Sequence, residues 1–373
     1  MKRLALLLLV LAAALSLSGV AGAAPPPVDA EAYVVQNAGT GEVLAERDAR
    51  EQLPMASITK LMTALVALER GSPEDVVTVS AGAARIGEST IHLRAGERLT
   101  VGDLLRAALI QSANDAANAV AAHVGGSVPR FVSLMNARAR SLGLTDTHFV
   151  NPDGLDAPGH VSSARDVTKL ARVAMRQPFI RETVKRVDAT AAGRQLHTWN
   201  DLLSSVPSVF GVKTGHTNGA GWSQVAAARS GGVTVYATLL GGETRSGRNA
   251  DLAELLAWGL SRYRTVWAIE GARSYAFARA PFDQPPVRLV AAKPALRIVH
   301  VERPLVERVV APVEVELPVR KGQRLGEVRV LDRGRVIASS PLVAANAVER
   351  PGFLGRVGFY AGRTMHHLGG LFS

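Results

Sequence analysis

The chain has 373 residues, 47% hydrophobic and 20% charged, a globular profile with ample material for a core and a length that suggests two or more domains. Its net charge of +11 and pI near 10.5 point to an anionic partner: nucleic acid, a membrane surface or an acidic polymer. With no cysteine, a disulfide framework, a thiolate nucleophile and a cysteine zinc site are excluded.

Residues 1–23 have the parts of a secretory signal in order: basic Lys2 and Arg3, an apolar run over 4–17, and the small-x-small pattern Ala21-Gly22-Ala23. Ala24 is then the first mature residue, and the apolar run is short for a spanning helix, which needs about 20 residues. Export weakens the nucleic-acid reading of the positive charge; lipid headgroups and cell-wall polymers fit it better. Ala32-Tyr33-Val34-Val35 and Glu42-Val43-Leu44-Ala45 predict two strands turned at Asn37-Ala38-Gly39-Thr40-Gly41.

Pro54-Met55-Ala56-Ser57-Ile58-Thr59-Lys60-Leu61-Met62-Thr63-Ala64 follows, with Pro54 placed just before a helix start and an apolar run continuing inward. Residues three apart share a helix face, so Ser57 and Lys60 bring a hydroxyl and an amine together. A serine needs an adjacent base to become a nucleophile. A lysine is that base only where burial or a nearby cation lowers its pKa.

Residues 75–102 read as strand pieces and turns. Residues 101–124 predict one helix, with Asp103 in its first turn and Gly125-Gly126 stopping it. Ser112 and Asn114, in Gln111-Ser112-Ala113-Asn114-Asp115, interrupt its apolar run and need partners if buried. A second amphipathic helix is predicted over 131–142, and a turn-rich loop over 147–155. Ser162 or Ser163 caps a helix running to Met175. His148 and His160 have no acidic or histidine partner at helical spacing, so they read as loop-organising groups; no metal or cofactor is expected. Gly211-Val212-Lys213-Thr214-Gly215-His216-Thr217 leads into a hairpin over 220–228 and 233–240, and 249–261 predicts a helix with Leu252, Leu255, Leu256 and Leu260 on one face.

After about residue 272 helical periodicity is lost. Valine-rich runs at 297–301, 313–317 and 326–330, separated by turns, predict a small all-β domain over 272–345. Over 350–373, Phe353, Leu354, Val357, Tyr360, Met365 and Leu368 fall on one helical arc and Arg356 and Arg363 on the other side, with Phe359 the apolar exception. That is the pattern of a helix lying on an anionic membrane surface.

Three motifs stand in order: Ser57-x-x-Lys60, Ser112-x-Asn114 and Lys213-Thr214-Gly215. Together they resemble the signature of penicillin-binding proteins and serine β-lactamases. Pro54-Met55-Ala56, Asn151-Pro152-Asp153-Gly154-Leu155 and Lys213-Thr214-Gly215-His216-Thr217 narrow the resemblance to the D-alanyl-D-alanine carboxypeptidases, from about Tyr33 to the C-terminus. The resemblance implies an α+β fold: a β-lactamase/transpeptidase-like antiparallel sheet flanked by helices over 29–266, then the small all-β domain and the C-terminal amphipathic helix. It also implies acyl transfer from peptidoglycan stem peptides ending in D-Ala-D-Ala, and acylation by β-lactam antibiotics. In that reaction Ser57 is the nucleophile and Lys60 the base, helped to stay neutral by Lys213. Ser112 relays a proton, Asn114 holds the substrate amide, and backbone N–H groups of Ser57 and His216 form the oxyanion hole. Lys213, Thr214 and an arginine bind the terminal carboxylate. Arg248, in Gly247-Arg248-Asn249 ahead of Trp258-Gly259, resembles the family's carboxylate-binding arginine, with Arg245 the near rival. The expected location is the outer face of the cytoplasmic membrane.

Two other readings remain. A β-lactamase-like hydrolase would need a deacylating device, but Ala113 stands where the class A pattern has aspartate, and its glutamate has no clear counterpart. A catalytically silent wall-binding scaffold would have no need of Ser57, Lys60, Ser112, Asn114, Lys213 and Thr214 together.

Overall fold

The computed structural model describes residues 8–15 and 24–369. The chain divides into two units, one ending at Ser261 and the other running from Arg262 and including residues 8–15.

The first unit is built on a five-stranded antiparallel sheet in the order Val43–Arg47, Ala32–Asn37, Val233–Gly242, Gly221–Ser230, Val209–Thr217. The N-terminal hairpin thus pairs with the last strand of the later meander, with Val34 opposite Thr238. The central strands are buried through their middle stretches, as expected of strands covered on both faces. Val235 and Thr238 are an odd number of residues apart and so point to opposite faces. On one face the Arg245–Ser261 helix comes so close at Gly259 that a Cβ would lie 2.9 Å from both Val35 and Val235. On the other, Thr168 of the Ala164–Ala174 helix meets Thr238, hydroxyl to hydroxyl, at 2.6 Å. Ser163 caps that helix, accepting from the Asp166 N–H.

The helical part of this unit surrounds the Lys60–Arg70 helix, buried from Lys60 through Ala67. Ser57 lies not in that helix but in the 3₁₀ turn Ala56–Thr59 before it. The single helix expected over 101–124 is two, Val101–Ile110 and Asn114–Gly125, with Ser112 between them in the left-handed region (φ 65°). No glycine or proline marks the break. The reason is tertiary. The Asn114 N–H donates to the Ser89 carbonyl at 2.7 Å, and the buried Asp115 carboxylate accepts from the N–H groups of Ile91 and Leu93. A neighbouring loop therefore supplies the hydrogen bonds a continuous helix would have made.

The second unit has a six-stranded antiparallel sheet in the order Leu8–Leu15, Leu305–Pro312, Arg324–Asp332, Arg335–Ala344, Val287–Ala291, Ser274–Ala278. Tyr263–Ile269 and Ala295–His300 form a separate ribbon. Leu305–Pro312 alternates buried and less buried residues with period two, and Val309, Val328, Val330, Leu342 and Leu289 build the core. The strand expected over 313–317 is not one. Pro312 and Pro318 flank it without N–H groups, and only isolated bridges form, Arg279 with Glu314 and Val319 with Val348. Its alternation survives as burial, with Val315, Leu317 and Val319 all inward.

Within the expected leader, Leu8–Leu15 is extended and paired with Leu305–Pro312; the rest of residues 1–23 lies outside the described residues. The C-terminal helix spans Phe353–Gly369, and residues 370–373 lie outside the description. Phe353 and Leu354 are 72% and 83% exposed. Phe359, off the apolar arc, meets the Phe282 ring edge-on at 5.5 Å. Among the described residues no helix is long and apolar enough to cross a membrane.

Candidate active site

The turn carrying Ser57 begins at Ala56, a non-glycine with φ 48°. Two glycines hold this strained turn in place. A Cβ on Gly154, itself at φ 92°, would lie 2.0 Å from the Ala56 carbonyl oxygen; a Cβ on Gly215 would lie 2.8 Å from that of Met55. The Asn151-Pro152-Asp153-Gly154-Leu155 loop and the Val209–Thr217 strand thus press on the serine from two sides.

Lys60 is fully buried. Its Nζ lies 2.7 Å from each of three acceptors: Ser57 Oγ, Asn114 Oδ1 and the Asp153 carbonyl. Burial lowers its pKa from 10.5 to about 8, against opposition from Asp153, Glu88 and Asp115. A neutral amine has two hydrogens and one lone pair. Two of the three neighbours accept only, so the lone pair is left for the Ser57 hydroxyl.

Ser112 and Lys213 face this pair. Lys213, also buried, donates to Ser112 Oγ at 3.0 Å and to the Thr214 carbonyl at 2.9 Å. Burial, then Lys60 and Arg248, hold its pKa well below the usual lysine value. Lys213 was expected to help keep Lys60 neutral; burial is the leading cause at Lys60, and the repulsion between the amines registers on Lys213.

Thr214, Gly215 and His216 line one side of a cleft of about 250 Å³ that reaches Ser57 and Ser112, and His216 lies against Trp222 with ring centroids 4.0 Å apart. Arg245 and Arg248 both line it, in different states. Arg245 is spent on a two-pronged pair with Asp201, at 2.8 and 2.6 Å. Arg248 is 1% exposed, hydrogen-bonds the neutral Asn249 Oδ1, lies 3.9 Å from Asp201, and sits over the Trp222 ring. Burial pulls its pKa down to about 10.

The structure therefore brings Ser57, Lys60, Ser112, Asn114, Lys213, Thr214, Gly215, His216 and Arg248 around one cleft. Three residues support the site: sequence reasoning assigned no role to Asp153 and Thr63, and read His160 as a loop-organising group. Asp153 gives its carbonyl to Lys60 while its carboxylate accepts from Asn118 and the Leu155 N–H. Thr63 donates to the Pro152 carbonyl at 2.6 Å. His160 accepts the Val150 N–H on Nδ1, so its Nε2 proton points at Thr59 Oγ1, 2.7 Å away. Burial lowers its pKa to about 4 and keeps it neutral. The Pro-Asp-Gly turn was the available signal for the first; nothing local announced Thr63.

The profile of the D-alanyl-D-alanine carboxypeptidase family matches residues 20–244. The chain is 35% identical over 351 residues to the D-alanyl-D-alanine carboxypeptidase DacC of Escherichia coli, covering 89% of this chain and 87% of that protein. It is 33% identical over 356 residues to DacD of Salmonella typhimurium, covering 90% of each. Among solved structures, penicillin binding protein 6B from Escherichia coli superposes with a TM-score of 0.65 at 30% identity, covering 87% of this chain and 98% of that one.

Proposed function

We infer the chemistry from family and geometry together: the chain belongs to the D-alanyl-D-alanine carboxypeptidase family of penicillin-binding serine peptidases, and we propose that Ser57 is its nucleophile. The enzyme acts on peptidoglycan peptides ending in D-Ala-D-Ala. One observation carries the assignment of residues: a buried lysine amine, its pKa near 8, lies 2.7 Å from the Ser57 hydroxyl with no carboxylate at ion-pair distance among the described residues.

Lys60 takes the Ser57 proton as Oγ attacks the penultimate carbonyl. The backbone N–H groups of Ser57 and His216 receive the oxyanion, worth roughly 3–4 kcal/mol per donor in such sites. Lys60 returns that proton by way of Ser112, held by Lys213, to the leaving amine, and D-alanine departs. Water then hydrolyses the ester on Ser57. Asn114 has a second amide hydrogen beyond the one given to the Gly87 carbonyl at 3.2 Å, and offers it to the substrate backbone. Thr214, Lys213 and Arg248 take the terminal carboxylate. Arg248 is favoured over Arg245 because Asp201 holds Arg245 through two short hydrogen bonds but only approaches Arg248, at 3.9 Å.

Catalysis is assigned to residues 29–266, with 272–345 as a spacer or docking module. Residues 1–23 export the chain, and 350–373 hold it on an anionic membrane surface at the outer face of the cytoplasmic membrane. The exposure of Phe353, Leu354, Val357 and Tyr360 supports that last role.

The test is incubation with labelled penicillin and mapping of the adduct by peptide mass. An adduct on Ser57, absent in Ser57→Ala, is expected; an adduct on another residue overturns the assignment.

A further inference from the structure

The second unit carries most of the chain's positive charge. Residues 262–373 hold 18 lysines and arginines against 9 aspartates and glutamates, so +9 of the net +11 lies there. The same unit has an apolar patch on the two-stranded ribbon of Tyr263–Ile269 and Ala295–His300. Trp267 lies opposite Leu296 and Thr265 opposite Ile298, and directly opposed residues share a face. The alternate residues Val266 and Val299 turn the other way and pack into the core. Trp267, Leu296 and Ile298 are left outward, 56%, 47% and 43% exposed. No carboxylate occurs among the ribbon's paired residues. Arg264 and Arg297 are exposed on it. The Arg297 guanidinium donates only to the Ile337 and Leu296 carbonyls, at 2.5 and 2.7 Å, and neither arginine has an ion-pair partner among the described residues.

A flat apolar strip bearing unmatched cations fits an extended anionic chain of rings. A sugar ring presents an apolar C–H face that an indole can cover, and a rim of hydroxyls for arginine and threonine. The polymer on which the enzyme acts has both features: its glycan strands are runs of such rings, and its stem peptides carry free carboxylates. We propose that the outer face of this ribbon, centred on Trp267, is a docking site for the glycan strand of that polymer. A lipid surface fits less well. These side chains lie half-exposed along a sheet, whereas Phe353 and Leu354 of the C-terminal helix stand 72% and 83% exposed, as entry into lipid requires. Only the identity of the polymer comes from the catalytic reading. A second grip on it raises the local concentration of its peptide ends around the enzyme.

The test measures binding of the full mature enzyme to soluble glycan strands freed of their stem peptides, so that the cleft has no acyl donor to hold. Removing the peptides leaves a free carboxylate on every second ring, and the strand is anionic. Trp267→Ala should weaken binding about fivefold to tenfold, the range for losing one ring contact, with the melting transition retained because the side chain is more than half exposed. Trp267→Phe should recover part of the loss. Arg264→Gln with Arg297→Gln should weaken binding and remove most of its salt dependence. About 1 M salt should weaken the wild type in the same way, because screening then acts within roughly 3 Å. Vesicles of anionic phospholipid are the second probe, and Trp267→Ala should bind them as the wild type does. Penicillin labelling of Ser57 runs in parallel; its failure strikes the catalytic reading and leaves the glycan result standing. Glycan binding that is absent in the wild type, or unchanged by Trp267→Ala, overturns the role of the ribbon. Loss of vesicle binding or of self-association in Trp267→Ala, with glycan binding kept, overturns it in favour of lipid or of a second copy.

Discussion

The two units bury charge in opposite ways. In the β-rich unit, Glu307 is 3% exposed but receives Arg273 through two bonds, at 2.9 and 3.0 Å. Arg262, nearly buried, meets Glu302 at 2.8 Å. In the first unit, Lys60 and Lys213 are buried among neutral oxygens, with no carboxylate at ion-pair distance among the described residues. A matched buried pair keeps both charges and its ordinary chemistry. An unmatched buried amine gives up its proton more readily, which is what a base requires. The difference separates charge that holds a fold together from charge that is available for a reaction.

The sharpest way to break this contrast is at Lys60. Lys60→Arg keeps a cation but cannot be neutral at working pH. Acylation by penicillin should fall about 10²–10⁴-fold, the range for loss of a general base, with the melting transition retained. Near-normal acylation would remove Lys60 from its role.

The same amine sets a pH dependence. Acylation should rise about tenfold per pH unit below pH 8 and level off above it, read from penicillin labelling rates. Stability has its own sign. The folded pKa is lowered, so between about 8 and 10.5 the unfolded chain binds the extra proton. The contribution of Lys60 to stability should therefore increase as pH rises through that window, and be at its least favourable below it.

Gly154→Ala tests whether the serine turn is positional. The new methyl would meet the Ala56 carbonyl at 2.0 Å in a left-handed backbone. A loss of about 2–4 kcal/mol by denaturant titration, together with lost acylation, is expected; an active, equally stable variant would show that the turn tolerates displacement.

Arg273→Ala addresses the matched charges. It should destabilise the β-rich unit by about 1–3 kcal/mol, less than a fully buried pair because Arg273 is 35% exposed. Arg273→Met with Glu307→Leu should recover much of that. Penicillin labelling should stay unchanged in both, and a drop would erase the contrast between the units.

The smallest effect on catalysis is expected from deleting 351–373. Labelling should be intact while the protein moves from the membrane pellet to the soluble fraction. Retention in the pellet would move the anchor to the leader, and an insoluble product would show that the helix packs on its own unit.

The sequence by itself determined the family, through three motifs and their order along the chain. Ser57-x-x-Lys60, Ser112-x-Asn114 and Lys213-Thr214-Gly215 were legible because each is short, contiguous and composed of reactive types. The later hairpin and the β-rich character after residue 272 were legible because their periodicity is local. Only the tertiary structure decided what those residues can do. The break at Ser112 has no local breaker; it exists because the 89–93 loop offers better partners to Asn114 and Asp115. The identity of the base depends on burial, which collects Lys60, Asn114 and Asp153 from three distant stretches. The proposed choice between Arg248 and Arg245 turns on Asp201, more than forty residues earlier in the chain, which hydrogen-bonds Arg245 twice and lies 3.9 Å from Arg248. A pattern along the chain names donors and acceptors, but a pKa belongs to the surroundings, and those are assembled by folding.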